Sequence, residues 1–259
     1  MNLKYSIIHK IPAPLYVFLK GRGWRGNCKS WAEAQKATIG YDAHNIPAKF
    51  VKNTLEAISV FQISRIRWEL LSSFMWIAAQ NKGNLNIVDF GGALGETYYH
   101  YKPFLDQLET VQWNVVEQSH FVEIGKKQFE TDVLKFHFSL DECVAESNET
   151  EQIECMLISS VLQYLEKPYE LLSDFLKRRF KYIIFARTGF TKNNKPDKIT
   201  IQKVHKSYND ESYPCWVFNE KKIIDFFQQN GYEMVYDYID REQMNIPSEY
   251  KGCTFKLIE

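Results

Sequence analysis

The chain lacks what several large classes of protein require. It has 259 residues and five cysteines, Cys28, Cys143, Cys155, Cys215 and Cys253, with no two close together. An odd, scattered set without a C-x-x-C pair argues against a disulfide framework and reads as reduced thiols in a cytoplasmic protein with no zinc or other metal site. It has no net charge, 32 basic against 32 acidic side chains, which argues against nucleic-acid binding because phosphate neutralisation needs a basic surface. The longest apolar run near the N-terminus, residues 15–19, is too short to span a bilayer and precedes no small-residue cleavage site. Acid is missing from the first 32 residues, which carry Lys4, Lys10, Lys20, Arg22, Arg25 and Lys29 among apolar clusters. Such an arm either lies on an anionic membrane surface, at the inner face of the membrane, or packs on the domain.

From Ser30 the spacing turns helical. Ser30 with Glu33 three residues on forms a capping box, and Gly40 ends that segment. Helical patterns follow over residues 48–59 and 62–79, the second with Ile66, Leu70, Leu71, Phe74, Ile77 and Ala78 on one face. Residues 1–80 therefore read as a basic arm and helical cap. Strands are expected at residues 86–90, 112–117, 135–138, 155–159, 182–186, 232–239 and 254–258, and helices at 96–108, 121–130, 169–178 and 220–229. This alternation predicts an α/β, Rossmann-like sheet of seven mostly parallel strands over residues 81–259, with an insertion at about 189–218. Only a loop separates the last two strands, so one of them near the C-terminus is antiparallel.

The first strand enters Asp89-Phe90-Gly91-Gly92-Ala93-Leu94-Gly95, and Glu117 ends the second. A strand, a small-residue turn and a carboxylate on the next strand hold a nucleoside-bearing cofactor in open α/β sheets. A dinucleotide site would place its third glycine at position 96, where this chain has Glu96. The phosphate-cradling G-x-x-x-x-G-K-[ST] is absent too, since Glu96-Thr97 follows Gly95 without a lysine. What fits is a ligand without phosphate there. A nucleotide-sugar transferase is disfavoured by the same absence, together with the lack of a paired-acid metal motif.

At these residues the chain resembles the class I S-adenosylmethionine-dependent methyltransferases, whose first motif is an acid, an apolar residue and Gly-x-Gly-x-Gly; Ala93 replaces the middle glycine. The resemblance implies S-adenosylmethionine as cofactor, with Asp89, Gly91, Gly92, Ala93 and Gly95 around its methionine part and Glu117 on both ribose hydroxyls. Ser159-Ser160-Val161-Leu162-Gln163-Tyr164-Leu165 resembles the family's motif after its fourth strand. Ser159 and Ser160 either contact the cofactor or cap the following helix, and Gln163 and Tyr164 stand where many small-molecule members have His-His. With Trp31, Ala34, Gly40-Tyr41-Asp42, Arg187-Thr188 and Ser212-Tyr213-Pro214-x-Trp216, the set is similar to an uncharacterised group of bacterial methyltransferases associated with surface-polysaccharide biosynthesis. That resemblance implies a small or lipid-linked glycan acceptor, methylated on a hydroxyl or amine.

A hydroxyl acceptor needs a base. His100, His205 and Asp42 are the candidates. Arg187, at the carboxyl edge of the fifth strand, either clamps an anionic acceptor or forms a structural ion pair. Tyr213 and Trp216, in the insertion, either stack on a sugar ring or plug the loop. The rival reading is a non-catalytic scaffold that keeps the cofactor as a ligand in a glycan pathway.

Overall fold

The computed structural model describes residues 12–39, 46–147, 153–204 and 211–258. A seven-stranded sheet is built from β2 (Asn84–Phe90), β3 (Thr110–Val116), β4 (Leu134–His137), β5 (Cys155–Ser159), β6 (Tyr182–Thr191), β9 (Tyr232–Ile239) and β10 (Ser248–Leu257). Its order is β4-β3-β2-β5-β6-β10-β9. β2 to β6 are mutually parallel, and β10 runs antiparallel to both β6 and β9. One antiparallel strand thus sits near the C-terminus, as the short final connection predicts.

Buried on both faces, the strands divide alternate residues between two helix layers. Ile87, Trp113, Leu157 and Ile184 pack with Leu70, Phe74 and Ile77 of α4 (Trp68–Gln80), Tyr98 and Tyr101 of α5 (Glu96–Leu105), and Phe121 of α6 (Ser119–Gln128). Val88, Met156, Ile158, Ile183 and Phe185 face the other way, against Leu172 and Phe175 of α8 (Pro168–Lys177) and Ile223 and Phe227 of α9 (Glu220–Gln229). Each fully buried Leu, Ile or Phe stabilises the fold by roughly 1.5–3 kcal/mol. α4 shares a cluster with β2 and β6 and so covers one face of the sheet. Phe50 and Val51 of α3 (Ile46–Ser59) pack against the same cluster, whereas Trp31 and Ala34 of α2 (Trp31–Lys36) pack with Ile199 and Ile201. Ser30 caps α2 as expected, accepting from the Glu33 amide.

The sequence reading treats the insertion as a loop, whereas most of its described part is strand. β7 (Lys198–Lys203) and β8 (Ser212–Val217) form an antiparallel pair, and β1 (Gly23–Cys28) adds a third strand beside β7. β1 has two glycines and an arginine and little intrinsic strand preference, so pairing with β7 is what makes it extended. The arm is also tied to the domain by Asn245, whose side chain accepts from the Trp24 amide at 2.7 Å and donates to the Trp24 carbonyl at 2.8 Å. From α1 (Ala13–Lys20) onward, the described part of the arm packs on the domain. No helix among the described residues is long and apolar enough to cross a membrane.

Candidate cofactor and acceptor site

After β2 the chain turns away to β3 and β4, then returns to the other side of β2 with β5. A crevice opens at such a reversal, beyond the carboxyl ends of the strands. Here it becomes a cavity of about 1380 Å³ whose walls include Asp89, Gly91 to Ala93, Glu117, Ser159, Ser160, Tyr164, Arg187 and Tyr213. Residues far apart in sequence are thereby brought to one place.

The turn after β2 needs its glycines. Gly91 and Gly95 have φ of 72° and 76°, in the left-handed region. A Cβ on Gly91 would lie 2.4 Å from Val161, and one on Gly92 would lie 2.6 Å from the Asp89 carboxyl group. Gly95 begins α5 and does not line the cavity. Ala93, the departure from the glycine pattern, also sits at positive φ, 48°, and its amide donates to Glu117 Oε2 at 3.3 Å. Holding a non-glycine residue there costs on the order of 1 kcal/mol. Ser160 (φ 60°) and Arg187 (φ 52°) are likewise left-handed, so three of the non-glycine residues in that conformation border one cavity.

Asp89 is 1% exposed and accepts one hydrogen bond, from Trp113 Nε1 at 3.2 Å. Burial raises its pKa to about 7, against the pull of the Trp113 bond and with a further push from Glu117. Glu117 directly follows β3 and is half-buried. Its Oε1 accepts from the Gln118 amide at 2.9 Å and its Oε2 from Ala93. Burial pushes its pKa above the ordinary carboxylate value despite those two amides.

Ser159 and Ser160 cap no helix: the short 3-10 turn Leu162–Tyr164 starts from Val161, and α8 starts from Lys167. Both serines face the cavity, and the Ser160 amide donates to the Ala186 carbonyl. Gln163 is fully buried and does not line the cavity. Its amide nitrogen donates to the Arg187 carbonyl at 3.0 Å and to Ser160 Oγ at 3.4 Å, which ties the ends of β5 and β6 together. Tyr164 does line it, donating to Gln202 Oε1 at 3.0 Å and meeting Tyr213 edge to face at 5.1 Å. Trp216 is displaced from the expected wall. It lies between Trp31 and Phe218, near-parallel to each at 6.1 and 6.2 Å, and donates to the Leu165 carbonyl, so it seals the small sheet against the domain.

Arg187 reaches the cavity through a β-bulge. Phe185 pairs with Cys253 and Thr188 with Lys251, which leaves Ala186 and Arg187 opposite Gly252 alone. The extra residue re-aims the Arg187 side chain. Its Nε and Nη2 both donate to Glu242 Oε1, at 3.0 and 2.7 Å, and Arg67 Nη2 reaches the same oxygen at 3.1 Å while Nη1 pairs with Asp240. Arg187 is both cavity wall and ion-pair partner. Neither Arg67 nor Glu242 stands in a sequence motif. The available signal was the direction of β9: it runs parallel to β2 to β6, so Asp240 and Glu242, just beyond its end, belong to the ligand-binding edge.

His100 lines the cavity 3.8 Å from Glu96, one helical turn earlier. Burial lowers its pKa below 6.5, outweighing the opposing pull of Glu96, so the imidazole is neutral at pH 7. His205 and Asp42 lie outside the described residues.

No family model matches the sequence, and no curated protein matches it. Several solved structures are similar in fold. A magnesium protoporphyrin IX methyltransferase from Synechocystis PCC 6803, crystallised with S-adenosylhomocysteine, superposes with a TM-score of 0.50 at 11% identity, covering 82% of this chain and 96% of that one. The 1,6-didemethyltoxoflavin-N1-methyltransferase of Burkholderia thailandensis, with 1,6-didemethyltoxoflavin and S-adenosylhomocysteine bound, gives 0.46 at 10% identity over 83% of this chain and 88% of that one. The first of these superpositions shows the fold: a seven-stranded, mostly parallel sheet with one antiparallel strand, the fold of the class I S-adenosylmethionine-dependent methyltransferases.

Proposed function

We propose that the protein binds S-adenosylmethionine and transfers its methyl group to a small acceptor. One observation carries this reading: Glu117, a half-buried carboxylate at the carboxyl end of β3, beside a glycine turn that has no lysine to cradle phosphate. A carboxylate only accepts, and two ribose hydroxyls are two donors. Glu117 bonds only backbone amides among the described residues, so its remaining lone pairs are available to them. Asp89 and the Gly91–Ala93 turn take the methionine end, and Phe138 and Leu140, which line the same cavity beyond β4, give apolar walls for the adenine.

When bound, the cofactor supplies a methyl group already activated for displacement, so the chain chiefly aligns the acceptor and excludes water. His100, kept neutral by burial, accepts the proton of an acceptor hydroxyl. Tyr164, Tyr213 and Gln202 offer ring faces and hydrogen bonds suited to a sugar. The acceptor on this reading is a sugar hydroxyl or amine in surface-glycan assembly, free or lipid-linked, which the motif resemblance supports. Contact with a membrane surface is supported by α1, where Leu15, Phe18 and Leu19 are exposed beside Lys20. Incubating purified protein with methyl-labelled cofactor and cell-envelope extract tests the proposal. Label is expected in a glycan fraction, extractable with lipid if the acceptor is lipid-linked. Cofactor binding without transfer to any envelope fraction would leave the non-catalytic scaffold instead.

A further inference from the structure

At the outer edge of the sheet, three side chains converge in a way the cofactor site does not explain. His137 closes β4 and is 2% exposed. Its Nε2 lies 3.1 Å from Asn114 Oδ1 on β3. The Asn114 amide nitrogen is engaged by Asn86 Oδ1 at 3.1 Å and by the Ile87 carbonyl at 3.4 Å. The oxygen is therefore the Asn114 atom facing the ring, and Nε2 must carry the hydrogen. Nδ1 is left as a bare lone pair.

That lone pair is buried and has no hydrogen-bond partner among the described residues. What faces it is acidic: Glu146 Oε2 at 3.3 Å, with Glu142 alongside, the three donor atoms lying within 4.8 Å of one another. A buried lone pair beside two carboxylates is unfavourable unless a cation sits among them.

We propose that His137, Glu142 and Glu146 form a binding site for a divalent transition-metal ion of the zinc class. One imidazole nitrogen and two carboxylates suit zinc, whereas magnesium and calcium take oxygen ligands alone. The Asn114 contact on Nε2 is the kind of outer partner that fixes a ligating histidine's tautomer and ring plane. Lys126 Nζ now lies 3.3 Å from Glu142 Oε1, and the ion displaces it. Glu142 Oε2 meanwhile accepts from the Phe138 amide at 2.7 Å, which holds the carboxylate in place. Bound there, the ion ties α7 (Leu140–Glu146) to the end of β4 and braces Phe138 and Leu140, walls of the cavity. The proposal stands independently of which cofactor the cavity takes.

Calorimetric titration of the full chain with zinc chloride, after chelation and dialysis, tests the site. One ion per chain is expected, with binding weakened about tenfold or more in both Glu142→Gln and Glu146→Gln, and tightened severalfold in Lys126→Met. These three side chains are partly exposed, and glutamine retains an acceptor for the Phe138 amide, so the variants fold. Absence of saturable zinc binding overturns the proposal, as does binding that neither glutamine variant weakens, which would place the ion elsewhere on the chain. Unchanged or weaker binding in Lys126→Met also counts against it, since a proton rather than a metal would then be the cation on Nδ1.

Discussion

Replacing Glu117 with alanine lowers affinity for S-adenosylhomocysteine about a hundredfold or more and leaves the melting temperature close to that of the parent chain. Hydrogen bonds to a charged group contribute about 1.5–3 kcal/mol each. Two lost together amount to two decades of affinity or more, at about 1.4 kcal/mol per decade. The fold loses little because two effects oppose one another. Alanine leaves the Ala93 and Gln118 amides without their acceptor, and it also removes a carboxylate whose charge burial disfavours. Glutamine, with one acceptor oxygen, falls between alanine and the parent. Calorimetry against a thermal melt separates binding from stability. Equal affinity in the alanine variant would remove Glu117 from the site.

Asp89 makes both stability and binding depend on pH, in opposite senses. Its folded pKa of about 7 exceeds the ordinary 3.8 because the carboxyl group is fully buried with one hydrogen-bond donor. Between these values the folded chain keeps a proton that the unfolded chain has released, so stability falls as pH rises and levels off above about 7. From pH 5 to 8 the loss is about 3 kcal/mol, at about 1.36 kcal/mol per unit. Asp89→Asn removes this contribution. Urea midpoints of the two chains at pH 5 and pH 8 isolate it, since other titrating groups are common to both. Binding runs the other way: on the proposed placement the cationic amino group of the methionine part meets Asp89, which favours the ionised form. Affinity for S-adenosylhomocysteine therefore rises from pH 6 to 8, by up to about tenfold per unit below the pKa, and is flat in Asp89→Asn. Parallel pH dependence in the two chains would show that Asp89 is charged throughout or lies away from the ligand.

The large sheet was legible because its strands and helices each carry their own hydrophobic period: Leu70, Phe74 and Ile77 mark α4, and α9 runs over the expected residues 220–229. The small sheet was not, because β1 is extended only by virtue of its partner and the lysines around Ile199 and Ile201 mask a short alternation. The half of the cavity proposed for the cofactor comes from one contiguous segment plus Glu117, and these residues line one cavity. The half proposed for the acceptor is assembled from distant segments, which a linear reading cannot weigh. Gln163 and Trp216 looked like substrate contacts by position, yet one ties two strand ends together and the other fills a gap between aromatic rings. Glu242 accepts from both Arg187 and Arg67, each distant from it in sequence, and neither Arg67 nor Glu242 stands in a local motif. Ala93 looked like a defect in a glycine pattern; in three dimensions it keeps the glycine conformation and gives its amide to Glu117.

The central claim is that Asp89, the Gly91–Ala93 turn and Glu117 form a seat for S-adenosylmethionine. Calorimetry of the unmodified full chain with S-adenosylmethionine and S-adenosylhomocysteine at pH 8, where Asp89 is ionised, tests it most directly. Saturable binding of each at one molecule per chain is the expected result. Absence of binding by both would contradict it, whatever the resemblance of the fold.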